Sequence, residues 1–500
     1  MQRHQTVALR ERGRLATLFH CVLRQARRQA GWREPDRRTM RTWRQFVLGL
    51  VVARSTRLVT VGQALFGQRA AQSVKAVAMA LGYFLTVAQF PAATVSTQVL
   101  EAAVRHLDPT QVVTYRGKVV LALDPTEYPK RSRGHGKRGR HMEHVGRVRK
   151  PKKGGTGRRR GQRGERCRPA TNGRTVIANG TGTSTVTAAR PVASVATTSG
   201  YVDVWAGLVL TGKQFLPLAR ALFSNRHPTL TSQNKIEEAV LDAGLRLLER
   251  LGWAAILVAD RGFGRKELLV ALATRAAQGA QAAQGAQAAQ RHDFVIRVDA
   301  DFTVYTPETP NGALLGAVLA AQPVVGEVVW DRGQEGTLRC QARTVTATIR
   351  FSRTGRQTDY TEATLQFVEL LPLDGITHPL VVATTLPVET LADSKGVVRV
   401  YELRWAIETA FETMKAWGLG RFMVRRWQAI DRLLWLVAVA FALLVVATRD
   451  GPLTILRAQV IMLLKRLATP SRRFTVGKLA EALGLDYQQH RRAWATVWLT

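Results

Sequence analysis

Cysteine is scarce in this 500-residue chain: Cys21, Cys167 and Cys340 stand far apart, with no Cys-x-x-Cys pair. That spacing argues against a disulfide framework or a cysteine-based zinc site, and fits a reducing, cytoplasmic setting. Acidic residues are also few, 36 Asp and Glu against 73 Lys and Arg, for a formal net charge of +37. A chain this basic calls for a polyanionic partner, of which nucleic acid is the commonest and a membrane surface the second. Long apolar runs are nearly missing. The N-terminus has no apolar core of signal-peptide type. The one candidate membrane span, LLWLVAVAFALLVVA at 433–447, holds 15 residues between Arg432 and Thr448. A bilayer needs roughly 20, so the run reads as a fully buried helix and no membrane is expected.

What remains is a globular composition, 46% hydrophobic, long enough for two to four domains. Residues 1–112 read as a helical N-terminal region. Apolar positions recur at helical spacing in 15–23, 46–52, 74–85 and 95–107, alternating with Arg-rich stretches such as 24–28 and 33–44. A small DNA-binding module is the functional reading, although no helix-turn-helix pattern stands out.

From residue 113 the pattern changes. VVLALD at 119–124 reads as a buried strand that delivers Asp124 at its end, just before Pro125. Residues 130–168 then carry 17 Lys and Arg against Glu143 and Glu165, with glycine throughout. Such a run cannot build a core and reads as a flexible basic insertion, continued by a Thr- and Ser-rich stretch to 200. His135, His141 and His144 read as part of that polar loop rather than as metal ligands. Residues 202–211 read as a strand, 215–223 as a short helix and 234–251 as an amphipathic helix. AAILVAD at 254–260 is a second buried strand ending in Asp260, followed by Arg261 and a helix from about Arg265. The slipped repeat at 276–290 carries no function in this reading. Residues 293–298 form a further strand. Between 301 and 379 lies a mostly β insertion, with strands expected at 324–330, 338–345 and 346–351. A strand at 380–385, an opening helix over 394–419, the buried helix, and helical segments around 454–467 and 476–483 complete the chain. Its regions divide as 1–112, 113–300, 301–379, 380–450 and a helical 451–500.

The stretch YELRWAIETAFETMK at 401–415 organises the rest. Tyr401, Arg404, Glu408 and Lys415 are spaced 3, 4 and 7 apart, which on one α-helix puts all four within roughly 60° of each other. One carboxylate beside two cations and a phenol suits a metal held next to a phosphate. The plainer reading is a solvated row of i,i+4 ion pairs. For Asp124 and Asp260 the plainer readings are a turn cap and a helix cap. Three carboxylates drawn from two strand ends and a helix can together hold two divalent cations, and hard oxygen ligands select Mg2+ or Mn2+. Two such ions can activate a water or a 3′-hydroxyl for phosphodiester displacement.

With these residues the sequence resembles the bacterial insertion-sequence transposases of the DDE type. It matches the insertion-sequence-four-like group marked by Tyr-(2)-Arg-(3)-Glu-(6)-Lys, which Tyr401, Arg404, Glu408 and Lys415 follow at every spacing. LALDPTEYPKRSRG and LVADRGFGRKELL resemble the two Asp-bearing regions of that group, and the resemblance spans roughly 113–450. It implies an α/β fold, with an RNase H-like core interrupted by the β insertion and flanked by helical regions. Asp124, Asp260 and Glu408 would be the catalytic metal ligands, for Mg2+ with Mn2+ able to substitute. Tyr401, Arg404 and Lys415 would contact phosphates, and Arg261 is counted with them. Trp330 is the candidate for stacking on a flipped base, its alternative being a Trp packed between strands. The implied partners are double-stranded DNA, as terminal inverted repeats and as target, held by a homodimer. The implied reaction is cut-and-paste through a hairpin. An inactive DNA-binding descendant and an RNase H-like nuclease without strand transfer are the alternatives. The 136 residues from Asp124 to Asp260 (260 − 124) exceed what such a core needs. Glu412, one turn after Glu408, could substitute for it or pair with Lys415.

Overall fold

The computed structural model describes residues 37–66, 71–88, 90–130, 142–149, 197–230, 232–282, 292–332, 336–352, 359–449 and 476–489. The N-terminal region is helical as its periodicity predicts, with helices Arg37–Ala53, Leu58–Phe66, Ala71–Thr86 and Ala92–Arg105. In the first of these, Trp43, Phe46, Val47 and Leu50 fall at i, i+3, i+4 and i+7 and are all buried, the stripe expected of a helix packed on one side. The apolar 15–23 stretch, the Arg-rich 24–28 stretch and the segment expected at 454–467 lie outside the described residues.

The strands, in chain order, are β1 Thr114–Tyr115, β2 Lys118–Pro129, β3 Gly146–Arg149, β4 Thr197–Leu210, β5 Gln214–Phe223, β6 Ala255–Ala259 and β7 Asp293–Val298, followed by β8 Thr303–Thr306, β9 Thr309–Leu314, β10 Gly326–Asp331, β11 Thr337–Phe351, β12 Thr361–Pro372 and β13 Leu380–Thr384. They form one mixed sheet in the order β3-β4-β2-β6-β7-β13-β12-β11-β8-β9, with β1 on β2, β5 on β4 and β10 on β11. β2, β6 and β7 run parallel and their neighbours antiparallel. The five strands β5-β4-β2-β6-β7, with helices Gln233–Arg250 and Lys266–Ala282 in their connections, make the RNase H-like α/β core. β6 is AILVA and buried throughout, as befits a central parallel strand covered on both faces. The β insertion does not form a sheet of its own. β12 pairs with β13 and β13 with β7, so its strands extend the core sheet.

Four local expectations are revised. Residues 215–223, read as a helix, are β5. The turn Thr211-Gly212-Lys213, with positive φ at Gly212 and Lys213, folds this segment back on β4 as a hairpin. The ladder slips between Ala206 and Gly207, opposite Pro217 and Ala219. An edge strand tolerates the missing N–H of Pro217 at such an irregularity. A Cβ on Gly207 would lie 2.3 Å from the Leu216 carbonyl oxygen, so the close approach there requires glycine. The two strands expected at 338–345 and 346–351 are one, β11, paired with β12 from Cys340 to Phe351 without a break. β2 does not end at Asp124 but continues to Pro129 along β4. The 394–419 helix is two helices, Leu391–Glu402 and Trp405–Ala416. At their junction the N–H groups of Leu403, Arg404, Ala406 and Ile407 each bond three residues back, a tightened turn that redirects the axis.

The apolar run lies in helix Trp427–Arg449, long and apolar enough by itself to cross a membrane. Here it is buried almost throughout and packs on β5, on Arg37–Ala53 and on Ala92–Arg105. Arg432 inside it is satisfied by the carbonyls of Phe84 and Leu85, each 3.2 Å from Nη1.

Candidate active site

The parallel register of β2 and β6 places the two aspartates. Leu123 pairs with Ala259, the last residue of β6, so Asp124 and Asp260 follow as cross-strand neighbours. Parallel strands in register point such residues to the same face, their backbones about 4.8 Å apart. On its other side Asp124 is opposite Trp205 of β4. Asp260 begins a single 3-10 turn, Arg261–Phe263, yet its carboxylate makes no capping hydrogen bond. The helix-cap reading therefore has no support at Asp260. Arg261 projects outward and pairs with Asp299 at 3.0 Å, both side chains more than half exposed.

The split helix brings up the remaining groups. Thr390 starts Leu391–Glu402 with a capping box: its hydroxyl accepts from the Asp393 N–H at 3.2 Å, and the Asp393 carboxylate accepts from the Thr390 N–H at 3.0 Å. Tyr401, near the far end, is buried, with the Arg404 guanidinium 5.7 Å from its ring centre. Burial raises its phenol and Arg404 partly offsets that, so the ring stays protonated at neutral pH. Arg404 occupies the junction. Its Nη1 lies 2.5 Å from a Glu408 carboxylate oxygen and 3.9 Å from one of Asp124. Its side chain is 7% exposed, and its Nε is buried without a hydrogen-bond partner. The i,i+4 pair foreseen as a solvated row is thus real, with Arg404 buried and Glu408 half-buried. Burial works against the guanidinium charge, and the acids around it, Asp124, Glu408 and Asp260, outweigh that.

These groups are electrostatically coupled. Asp124 is pushed up to about 8, first by burial and further by Glu408 and Asp260, against the pull of Arg404 and Lys415. Lys415, on the last turn of Trp405–Ala416, is lowered by partial burial and raised back by Asp124, Glu127, Glu412 and Glu408. Asp124, Asp260, Glu408, Arg404 and Lys415 therefore lie near enough to act on one another through their charges. Glu412 stays exposed, near enough to act on Lys415 but among the weaker of its partners. Trp330 is buried in β10, opposite Leu338 of β11, with Arg332 5.5 Å from its ring centre and its indole N–H unpartnered.

Three carboxylates are the hard donors that Mg2+ or Mn2+ takes. Among the described residues, however, no group of three or more His, Cys, Asp and Glu is placed to hold a metal ion. Arg404 lies between Asp124 and Glu408, 3.9 and 2.5 Å from their carboxylates, so its guanidinium sets a positive charge beside them. The donor types suit a divalent metal.

Sequence reasoning missed the support beneath the site. Asp203 of β4 is fully buried and accepts from Arg220 Nε and Nη2 at 2.9 and 2.6 Å, from Trp205 Nε1 at 2.7 Å and from Tyr128 Oη at 2.9 Å. Arg220 Nη1 also donates to Asp431 Oδ1 at 2.7 Å. Trp205, fixed by this network, packs edge-on against Phe411 of the Glu408 helix, centroids 6.1 Å apart. The one available signal was charge within apolar strands: Asp203 in VDVWAG and Arg220 in PLARALF.

Residues 229–443 match the family model of the transposase DDE domain. The matched region holds Asp260, Tyr401, Arg404, Glu408 and Lys415, and begins downstream of Asp124. No curated protein matches the chain. Over these residues, just under half of the chain, the protein is similar to a transposase DDE domain.

Proposed function

We propose that this chain, carrying a transposase DDE domain, cuts the ends of an insertion sequence by phosphodiester hydrolysis and joins them to target DNA by transesterification. The observation that carries the reading is the parallel register that sets Asp124, within β2, beside Asp260 at the end of β6, both acting on the charge of Arg404 beside Glu408. Asp124, Asp260 and Glu408 would hold Mg2+, or Mn2+ in its place, which when bound activates the attacking oxygen and neutralises the phosphate. The chain's own residues supply the rest. Arg404 and Lys415 are the cations available to the scissile phosphate. As a phosphate draws Arg404 across, Glu408 is released to act as a ligand. Tyr401, kept protonated by burial, can donate but not accept a proton there. Arg261, exposed beside Asp260, contacts the flanking backbone. The Tyr-Arg-Glu-Lys subgroup, the hairpin intermediate, the cut-and-paste outcome and a homodimer holding two terminal repeats belong to this proposal. So does DNA binding by residues 1–112.

A second reading, a descendant that binds DNA without cutting it, draws on the absence of a gathered three-carboxylate group among the described residues. One assay separates the two. The gene is supplied in cells with its flanking DNA, as wild type or Glu408→Gln, and resealed donor sites and new insertions are counted. Excision should fall to background in Glu408→Gln while binding to the flanks persists. Equal excision by both proteins would remove Glu408 from the ligand set. No excision by either, with binding intact, would favour the second reading.

A further inference from the structure

Away from the acids, three separated segments meet in a cluster of aromatic rings. His144 and His227 have ring centroids 4.6 Å apart, and Trp427 lies 4.5 Å from His227 and 6.0 Å from His144. His144, expected in an open polar loop, is thus packed. The polar contacts beneath the rings are complete. The Trp427 N–H donates to Glu143 Oε2 at 2.7 Å, the Glu143 N–H to the Arg425 carbonyl at 2.9 Å, and Tyr201 Oη to the Glu143 carbonyl at 2.5 Å. Ser224 donates to the His144 carbonyl. Glu143, the one acid in 142–149, is exposed, with its carboxylate tied to the Trp427 backbone N–H. Lys130 turns inward: it lies 3.3 Å from the Phe422 ring centre and donates to the Gly420 carbonyl, and burial pushes it down to about 7. The other charges shown outward are cationic. Arg226, next to His227, and Arg425 and Arg426, next to Trp427, are all exposed.

We infer that this ring cluster and its three arginines form a docking site for the phosphate backbone of duplex DNA, separate from the carboxylate centre. Charge complementarity is the first reason: three exposed arginines flank half-buried rings, against the single paired carboxylate of Glu143. The second is chain continuity. Lys130 and His144, which stand in a stretch of the sequence rich in Lys and Arg, both belong to this patch. The third is attachment. β2 links the patch to Asp124, six residues from Lys130 or roughly 20 Å of strand. The turn from Trp417 to Arg426 links it to the Glu408 helix, with positive φ at Gly418 and Gly420 reversing the chain. DNA held here is held to the two elements that carry the acids. Rings beside arginines suit sugar and phosphate, and give no base code.

The test uses the full chain, a duplex of arbitrary sequence and the triple variant Arg226→Ser/Arg425→Ser/Arg426→Ser. Anisotropy titrations from 50 to 200 mM salt give the slope of log affinity on log salt. Each lost phosphate contact should reduce that slope by about 0.9, so the triple variant should lose about 2 to 3 with its melting temperature held. An unchanged slope overturns the inference. If the triple variant folds poorly, Arg226→Ser and Arg426→Ser alone should each remove about 1, and no change in either is equally decisive. Vesicles rich in phosphatidylglycerol form a second arm. Loss of vesicle binding with an unchanged DNA slope would assign the patch to a membrane surface and overturn it. The inference takes DNA as the polyanion from the proposed function, but Asp124→Asn separates the two. If that variant cleaves normally while the triple variant still loses slope, the carboxylate assignment fails and the docking site stands.

Discussion

The molecule buries an arginine among carboxylates twice, and the two clusters are built differently. Around Asp203, Arg220 and Asp431 the donors are matched to acceptors: four hydrogen bonds reach one carboxylate, and Arg220 is shared with a second. Around Asp124, Arg404 and Glu408 the matching is incomplete. Arg404 keeps a buried Nε without a partner, its contact to Asp124 is long at 3.9 Å, and Asp124 is driven up to about 8. A buried charge network that is satisfied rigidifies its surroundings, whereas one left short of partners is poised to accept another. The first cluster holds β4, β5 and the long buried helix in place, and through Trp205 and Phe411 it steadies the second. The second is where another charged group can be taken up.

Mutation should divide the two clusters along that line. The largest effect falls on the second. Asp260→Asn should lower strand cleavage by at least about a thousandfold, the scale of losing a group that stabilises developing charge. Its melting temperature and DNA affinity should stay near wild type. A variant that cleaves normally would break the comparison. The first cluster should answer in stability. Asp203→Ala strands Arg220 in the interior and should cost about 3–5 kcal/mol, read by urea titration. Adding Arg220→Met should recover part of that loss, because the stranded charge is then gone. A double variant worse than the single would mean that the network acts through packing alone.

A third effect is in pH. Asp124 goes from 3.8 in the unfolded chain to about 8 in the fold, so between these values the folded state binds the extra proton. Stability from this group is therefore present below about pH 4 and lost as pH rises towards 8. In EDTA, Asp124→Asn should melt above wild type at pH 8 and match it near pH 4. A difference that does not change with pH would mean that Asp124 is not desolvated in the fold.

Much of this was legible in the residues. The buried strands carrying Asp124 and Asp260 were legible in their apolar runs, a local property, whereas the spacing of Tyr401, Arg404, Glu408 and Lys415 was read on one helix that the structure divides in two. Other features were not legible. The 215–223 segment carries leucines and alanines that suit a helix, and only its pairing with β4 makes it a strand. Glu408 and Arg404 lie four apart on paper whether the pair is solvated or buried. Asp203 and Arg220 are 17 positions apart, and no local pattern joins them. His144 sits in a basic run whose composition says loop, and its packing partners are 83 and 283 positions away at His227 and Trp427.

By itself the sequence determined the chemistry on offer: a basic chain with few cysteines, two strand-borne aspartates and a helix with one glutamate between cations. These follow from composition and from periods of two and 3.6 residues, which need no partner. The tertiary structure alone decided the register that sets Asp124 beside Asp260, the break that turns Arg404 inward, and the union of the β insertion with the core sheet. It also decided which charges are satisfied. Hydrogen bonds between strands and the burial of charge depend on residues far apart in the chain, and no local pattern carries that information.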